Sequence, residues 1–416
     1  MSFQIGLEIE VTAGEAVHGG WCVARPGDGP VVFVRYALPG EVVRARVTEV
    51  TSRFARADAV QILKASSDRV EPPCEYARPG GCDWQHASLS AQRALKAAVI
   101  AQQLRRLAGI DREVTVEPLP GDDEGLGWRT RMRFAVTAEG AAGLRGHRSH
   151  EVARVDDCLI ASPAIRDLGI PHGDWTGLTA VEAMTGSDPG QRAVILETSG
   201  RSGGDSTARF VSSEAVFTTN GRTLRPVRGR PYLRQRAGGR DWRVSVGAFW
   251  QVHPGAADAL TEAVLAALQP GAGDTVADLY CGAGLFAGVL APAVGPDGTV
   301  VGVESDAAAV RDARHNLRDY GWARVHRGDV AAVLSRGLTP ATLVVADPPR
   351  AGLAREVISY VTEGPTARFA YVSCDPATLA RDTRLLTDRG WALAGLRAFD
   401  AFPMTHHVEC VATYSR

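Results

Sequence analysis

The spacing of apolar positions divides the chain into three stretches of different character. From residue 236 onward, short apolar runs alternate with segments of helical periodicity. This alternation predicts helices at 254–268, 285–291 and 307–319 and strands at 275–280, 299–304, 343–347 and 370–373. Strands that alternate with helices form a parallel sheet covered on both faces. Residues 236–416 are therefore predicted to be an α/β domain with a doubly wound, Rossmann-like sheet.

The first 64 residues show closely spaced, strand-like runs instead. These runs, at 6–11, 30–36, 41–47 and 57–63, are separated by turns that contain glycine and proline. Short strands at this spacing are typical of a small barrel, a form that often binds nucleic acid. We therefore predict an OB-like β-barrel over 1–64.

Residues 65–235 combine both patterns and are predicted to form a mixed α+β central domain. Its helical stretch, 88–107, is expected to pack on the α/β domain of residues 236–416. Further along, 128–136 alternates basic with other residues, which predicts a strand with an arginine face. We expect that face, formed by Arg129, Arg131 and Arg133, to contact a polyanion.

Composition limits the class of protein. With 416 residues, 45% of them apolar, the chain can bury several cores. It contains no run of about 18 uncharged apolar residues, the length a membrane span requires. The N-terminus also lacks the basic and apolar regions of a secretory leader. We therefore expect a cytoplasmic protein without a membrane partner, and a monomer.

Charge is distributed unevenly, although the formal net charge is only −1. Between residues 222 and 243, eight arginines stand against one acid, Asp241, whereas 251–300 holds five acids and no lysine or arginine. The first stretch predicts a basic face for a polyanion such as nucleic acid. Because the chain has only two lysines, nearly all of its basic residues are arginines. Part of the arginine content of this stretch therefore reflects the overall composition.

A glycine-rich turn follows the predicted strand 275–280. The run Asp278-Leu279-Tyr280-Cys281-Gly282-Ala283-Gly284 ends that strand and opens a helix, and Glu304 ends the next strand, where a carboxylate can bind ribose hydroxyls. This pattern fits a dinucleotide or S-adenosylmethionine. The third glycine of the dinucleotide fingerprint is one place late, and Asp278 would repel a pyrophosphate but attract the cationic end of S-adenosylmethionine. Both details favour the methyl donor.

Two further strand ends carry candidate chemistry. Asp347-Pro348-Pro349-Arg350 ends one strand, and its prolines fix a rigid, extended ledge. Cys374 follows the strand that ends at Ser373 and precedes a predicted helix, whose N-terminal amides would favour the reactive thiolate. We interpret Cys374 as a candidate nucleophile, with a small buried core residue as the alternative.

With these motifs in place, the chain resembles a known family. Residues 1–64 resemble a TRAM domain in Gly19-Gly20-Trp21 and Leu38-Pro39-Gly40-Glu41, and residues 236–416 resemble the RNA uracil-5-methyltransferases. The second resemblance is carried by Phe249-Trp250-Gln251-Val252, Asp278 to Gly284, Glu304, Asp347 to Leu353, Ser373-Cys374-Asp375-Pro376 and His407-Val408-Glu409. It implies a class I methyltransferase fold behind an RNA-binding TRAM domain.

The resemblance also implies roles for these residues. Cys374 would add to C6 of uracil, and Glu409 would remove the proton from C5. The residues expected to bind S-adenosylmethionine are Gln251, Asp278, Tyr280, Gly282, Gly284, Glu304, Asp329 and Asp347. Of these, Gln251 and Asp347 would contact either the donor or the base. Residues expected to contact RNA are Arg129, Arg131, Arg133, Pro348 and Arg350.

Metal binding is the point at which this sequence departs from the family. Many members hold a four-iron, four-sulfur cluster with four cysteines, and Cys74, Cys82 and Cys158 match three of them. The run between Cys74 and Cys82 is shortened, and the fourth cysteine is missing. A cluster normally requires four thiolates. A three-thiolate cluster, zinc with His86 as the fourth ligand, and no metal all remain open.

The sequence therefore predicts methylation of uridine C5 in RNA through a Cys374 adduct. The TRAM domain favours ribosomal RNA, with 23S ribosomal RNA as the expected target. Transfer RNA is the alternative substrate. A non-catalytic RNA-binding or assembly factor that retains the fold is the alternative from another class, and a dehydrogenase on the same sheet is a third.

Overall fold

The computed structural model describes residues 3–27, 29–76, 81–146, 151–198 and 214–416. Near the N-terminus, a six-stranded sheet has the order β1-β5-β6-β4-β3-β2. Its strands are β1 Glu8–Thr12, β2 Ala16–Val17, β3 Trp21–Ala24, β4 Val31–Arg35, β5 Val42–Val50 and β6 Phe54–Lys64. In β5, Val43, Ala45 and Val47 are buried while the intervening residues face outward, so the sheet encloses one small apolar core.

A second, seven-stranded sheet occupies the middle of the chain, in the order β10-β9-β8-β11-β12-β13-β14. Its strands are β8 Arg131–Val136, β9 Ala142–Arg145, β10 Val152–Arg154, β11 Leu178–Thr185, β12 Arg192–Thr198, β13 Ala215–Thr219 and β14 Leu224–Arg228. A short α-helix, α2 Pro163–Arg166, and a 3₁₀ turn, Ile170–His172, lie between β10 and β11. Trp128, Phe134 and Trp175 belong to the core beneath this sheet. The strand predicted at 128–136 corresponds to β8, which begins at Arg131, three residues later than predicted.

The hairpin β15 Tyr232–Ala237 and β16 Arg240–Ser245 joins the middle of the chain to the C-terminal sheet. Trp242 and Val244 of this hairpin are buried in the C-terminal core. The boundary predicted between residues 235 and 236 falls inside β15, and the division at that point stays a prediction. Leu233 of β15 instead packs with Met184, Ile195 and Phe217 of the seven-stranded sheet, so the hairpin contributes to both cores.

The C-terminal sheet has eight strands in the order β19-β18-β17-β20-β21-β23-β22-β7, where β7 is Val116–Glu117. Its other strands are β17 Thr275–Leu279, β18 Thr299–Glu304, β19 Ala323–Arg327, β20 Leu343–Ala346, β21 Arg368–Ser373, β22 Ala392–Phe399 and β23 Glu409–Ser415. Its helices are α3 Ala256–Leu268, α4 Leu285–Val294, α5 Ala307–Asn316, α6 Val330–Ser335, α7 Arg355–Glu363 and α8 Pro376–Thr387. Strands β19 to β21 pair in parallel, with apolar clusters on both faces, which confirms the predicted doubly wound fold.

The helix predicted at 88–107 packs on the C-terminal domain as expected. It comprises α1 Leu89–Gln103, which Ser88 caps, and a π-helical turn, Leu104–Ala108. Lys96 of α1 is buried, and its Nζ lies 2.5 Å from Asp400 Oδ1 and donates to the Phe402 carbonyl at 3.0 Å. One turn earlier, Gln92 accepts a hydrogen bond from the Met404 amide. No helix among the described residues is long and apolar enough to cross a membrane.

Replacing Lys96 with Met should reduce the free energy of unfolding by about 3–5 kcal/mol, because the Asp400 carboxylate is left buried without its cation. Replacing both partners, Lys96→Met with Asp400→Leu, removes the unpaired charge and should recover most of that loss. Urea unfolding of the two variants measures the difference. An equal loss in the single and double variants would contradict the buried pair.

Candidate active site

The predicted cofactor residues meet at the carboxyl edge of the C-terminal sheet. The turn after β17 places Tyr280 and Gly282 there, and both have left-handed backbone conformations, with φ of 65° and 53°. A Cβ on Gly282 would meet no atom within 4 Å, so its backbone is open to a ligand. Gly284 differs, because a Cβ there would lie 3.3 Å from Ala313 Cβ of α5. Gly282 therefore provides access, whereas Gly284 serves close packing and a positive φ at the start of α4.

Glu304 and Asp329 lie at the ends of neighbouring strands, where the sequence predicts them. Glu304 accepts hydrogen bonds from the amides of Gly282 at 3.0 Å and Asp306 at 2.7 Å, so it holds the glycine turn in place. Asp329 caps α6 by accepting from the Ala332 amide at 3.0 Å. Both carboxylates thus help to shape the edge of the sheet even without a ligand.

Two further carboxyl groups are withdrawn from water at this edge. Burial raises the pKa of Asp278 to about 8, although its Oδ2 accepts from the Ala287 amide at 2.7 Å. Its Oδ1 is buried without a partner among the described residues. Burial also raises the pKa of Asp347 to about 7. Such an unpartnered acidic site fits the positively charged amino-acid end of S-adenosylmethionine, together with the open backbone at Gly282.

The ledge after β20 is fixed to the helix that follows Cys374. Pro348 is buried, and the Arg350 carbonyl accepts from the Thr378 hydroxyl of α8 at 3.0 Å. Arg381 of α8 donates to the Ala351 carbonyl at 2.8 Å. A Cβ on Gly352 would lie 2.2 Å from Thr378 Cγ2, so this close approach requires glycine. The ledge and the loop of Cys374 therefore form one rigid unit.

Strand pairing brings the two predicted catalytic residues together. Cys374 follows directly after β21, and Glu409 is the first residue of β23. These strands are antiparallel, with Ser373 opposite Cys410, so the thiol and the carboxyl group come from adjacent ends of two paired strands. Burial and the nearby Asp347 raise the pKa of Glu409 well above its usual range, and Arg350 opposes the rise. Burial therefore favours the protonated form of Glu409 in the ligand-free protein.

The prediction that the helix N-terminus favours the thiolate is wrong for the ligand-free protein. Burial raises the pKa of Cys374 to about 11, and Glu409 adds to the rise. Asp375, not Cys374, occupies the cap of α8, because its Oδ1 accepts from the Thr378 amide at 2.8 Å. The cap carboxylate neutralises the helix dipole that was expected to stabilise the thiolate.

The segment before α3 carries Gln251, which is buried beside the predicted arginine face. Arg131 forms an ion pair with Glu182 at 2.8 Å and donates to the Ala248 carbonyl at 2.7 Å. Arg133 likewise pairs with Glu197 at 2.5 Å. These two side chains therefore stabilise the sheet and the Gln251 segment, and their predicted contact with RNA remains a prediction.

The cysteine positions surround a cavity of about 310 Å³ lined by Cys74, Cys82, Cys158, Arg129 and Arg350. Within the described ranges, no group of three histidine, cysteine or acidic side chains is arranged to hold a metal ion. His86 packs edge-on against Tyr36 instead, with ring centroids 6.5 Å apart. Three thiols do not fit a four-thiolate cluster. The expectation of an iron-sulfur cluster is therefore unsupported, and residues 77–80 of the run lie outside the described residues.

Sequence reasoning missed one group of residues next to the site. His18 Nε2 lies 3.3 Å from Asp375 Oδ2, and Asp83 Oδ2 lies 2.6 Å from His406 Nδ1. Each pair joins residues more than 300 positions apart in the chain. No periodicity or spacing in the sequence could have indicated such contacts.

The fold and the site together define a class I methyltransferase that uses S-adenosylmethionine. Family models agree along the chain: a TRAM domain matches residues 3–60, a methyltransferase small domain matches 252–359, and a tRNA (uracil-5-)-methyltransferase model matches 338–416. A tRNA (uracil-54, C5)-methyltransferase of Pyrococcus abyssi, solved with S-adenosyl-L-homocysteine, has a similar fold. It superposes with a TM-score of 0.73 at 23% identity, covering 98% of this chain and all of that one.

Curated relatives extend over nearly the whole chain. An uncharacterized RNA methyltransferase of Streptomyces avermitilis is 51% identical, with 98% of both chains covered. A 23S rRNA (uracil(1939)-C(5))-methyltransferase of Shewanella sp. MR-4 is 33% identical, with 93% of this chain and 91% of that protein covered. The chain belongs to the RNA uracil-5-methyltransferase family, and it is an RNA-modifying enzyme that requires S-adenosylmethionine.

The raised pKa of Cys374 predicts how its alkylation depends on pH. A thiol with a pKa of about 11 is ionised in roughly one molecule in ten thousand at pH 7. The rate of iodoacetamide labelling in the ligand-free protein should therefore rise about tenfold per pH unit to at least about pH 10. Mass spectrometry of the peptide that contains Cys374 measures this rate. In urea-unfolded protein the rate should level off near pH 9, and a plateau at neutral pH in the folded protein would contradict the assignment.

Proposed function

We propose that this enzyme methylates C5 of a uridine in 23S ribosomal RNA through a covalent adduct with Cys374. The observation that carries the proposal is the antiparallel pairing that places Cys374 beside Glu409 at the carboxyl edge of the sheet. The RNA target follows from the similarity to the Shewanella enzyme and from the TRAM domain. Transfer RNA is the second candidate, because the similar Pyrococcus structure is a tRNA enzyme.

The reaction requires a nucleophilic carbon, which uracil does not offer unaided. The Cys374 thiolate forms a bond to C6, and the electrons of the C5–C6 double bond move to the O4 enolate. Bound S-adenosylmethionine supplies the methyl group, and the carbon–sulfur electron pair stays on its sulfur. C5 of the uracil adduct forms the new carbon–carbon bond. Glu409 then removes the C5 proton, the double bond forms again, and Cys374 leaves as the thiolate.

Burial raises the pKa values of both Glu409 and Cys374 in the ligand-free protein and so favours their protonated forms. A positive charge placed beside Asp347 and Glu409 would lower the pKa of both carboxyl groups. Binding of S-adenosylmethionine would thereby favour the carboxylate form of Glu409, which removal of the C5 proton requires.

Replacing Cys374 with Ser should abolish methyl transfer, because a serine hydroxyl is too weak a nucleophile to add to C6. The wild-type enzyme should form a gel-stable adduct with RNA that contains 5-fluorouridine, since fluorine cannot leave as a proton. Incubation with ribosomal RNA from a strain lacking the gene, followed by nucleoside mass spectrometry, detects 5-methyluridine. Transfer RNA from the same strain is the matched substrate control. Full methyl transfer by the Cys374→Ser variant would refute the covalent route.

RNA binding is proposed to extend to an exposed set of arginines that we call the arginine arm. It comprises Arg222, Arg225, Arg230 and Arg234: Arg225 lies on the edge strand β14, Arg222 and Arg230 flank that strand, and Arg234 lies on β15. Among the described residues none of the four has an acidic partner, whereas Arg236 pairs with Asp188 and Asp241. Leu224 of β14 lies close to Gly247, four residues before Gln251, because a Cβ on Gly247 would lie 3.4 Å from Leu224 Cδ2. Strand β14 therefore lies near the segment that leads to Gln251.

Replacing all four arginines of the arm with Gln should reduce the salt dependence of RNA binding. Each lost phosphate contact lowers the slope of log K against log salt by about 0.7, so the slope should fall by roughly 3. Fluorescence anisotropy with a labelled single-stranded RNA of mixed sequence measures it. The matched control is R324Q/R336Q/R355Q/R389Q, which changes four exposed arginines of the C-terminal domain that form no ion pair within the described ranges, one of them on the edge strand β19. Equal slopes in the two variants would contradict the arm.

A further inference from the structure

A turn of the TRAM domain contacts both of the loops that carry the catalytic residues. The turn between β2 and β3 places His18 Nε2 at 3.3 Å from Asp375 Oδ2, directly after Cys374. Gly20 of the same turn has φ of 81°, and a Cβ there would lie 3.1 Å from Asp83 Cβ and 3.3 Å from His406 Cβ. His406 is three residues before Glu409. One short turn therefore abuts the nucleophile loop and the loop of the base.

Asp375 connects His18 to the position of the nucleophile. Its Oδ1 caps α8 through the Thr378 amide, and its Oδ2 faces His18, so each oxygen has a separate partner. Burial alone would raise the pKa of Asp375, but the contacts with His18 and Thr378 outweigh burial and keep the pKa well below its usual range. Asp375 is therefore charged, and its two contacts fix the peptide that joins it to Cys374.

The second contact of the turn, at Gly20, involves a segment that further hydrogen bonds hold in place. Asp83 Oδ2 lies 2.6 Å from His406 Nδ1, and the Trp84 amide donates to the Met404 carbonyl at 3.0 Å. These bonds hold the segment 404–408, which leads into β23 and Glu409. The turn rests on this segment so closely that a Cβ at Gly20 would be crowded by Asp83 and His406.

We propose that the TRAM turn of residues 17–20 positions the catalytic loops, with His18 acting on Cys374 through Asp375. His18 is a positioning residue, since it does not reach the reacting atoms. RNA bound to the TRAM domain would then affect the same His18–Asp375 contact that positions Cys374. This inference deepens the proposed function and rests on it for its catalytic meaning. The competing interpretation is that the turn only packs the two domains together.

The test compares His18→Ala with His18→Gln, which keeps a side-chain donor, and with Gln4→Ala, an exposed change in the same domain. The first measurement is the single-turnover rate of adduct formation with 5-fluorouridine RNA. His18→Ala should slow it by about tenfold or more, because a small misplacement of a reacting group is costly. His18→Gln should recover part of the rate, and the RNA dissociation constant should stay within about twofold in all variants.

The second measurement does not depend on the proposed reaction. Iodoacetamide labelling of Cys374 in the RNA-free protein at fixed pH should be about threefold faster in His18→Ala, because the half-buried loop loses a restraint. The inference would be overturned if His18→Ala changed neither the labelling rate nor the rate of adduct formation. It would also be overturned if slower adduct formation were explained entirely by weaker RNA binding. If the wild-type protein forms no adduct, the proposed function fails. In that case the labelling rates still test, independently of the reaction, whether His18 restrains the loop of Cys374.

Discussion

The antiparallel pairing of β21 with β23 is the constraint on which the site depends. It sets Ser373 opposite Cys410, so the chain leaves one strand at Cys374 and enters the other at Glu409. A shift of one residue would turn every side chain of β23 to the other face and remove the carboxyl group from the thiol. Phe369 of β21 stacks on Tyr414 directly opposite in β23 and on Tyr371 of its own strand, and the cross-strand pair stabilises the register.

This arrangement concentrates acidic groups where water is scarce, which costs stability. The pKa values of Asp278 and Asp347 are raised to about 8 and about 7, so the folded ligand-free protein holds protons that the unfolded chain releases. Their contribution to the free energy of unfolding therefore falls as the pH rises from about 4 to about 8. A bound cation offsets this cost. The site is thus built for a positively charged ligand rather than for the stability of the free protein.

Much of this architecture could be predicted from local patterns. The alternation of strands and helices predicts the doubly wound sheet, and strand ends predict where Gly282, Glu304 and Cys374 lie. Contacts between distant segments could not be predicted. The ion pairs that engage Arg131, the cap taken by Asp375 and the burial that raises the pKa of Cys374 all depend on packing of remote elements. The position of the hairpin β15–β16 depends on such packing as well, since Leu233 belongs to one core and Trp242 to another.

The proposed reaction requires Glu409, which this strand pair places beside Cys374, to remove the proton from C5 of the methylated adduct. The most direct measurement is tritium release from ribosomal RNA labelled at C5 of uridine, followed together with methyl transfer. The wild-type enzyme should release one tritium for each methyl group transferred. Glu409→Gln should still methylate C5 in a single turnover while retaining the tritium in a protein-bound product. Undiminished tritium release by Glu409→Gln would contradict the account.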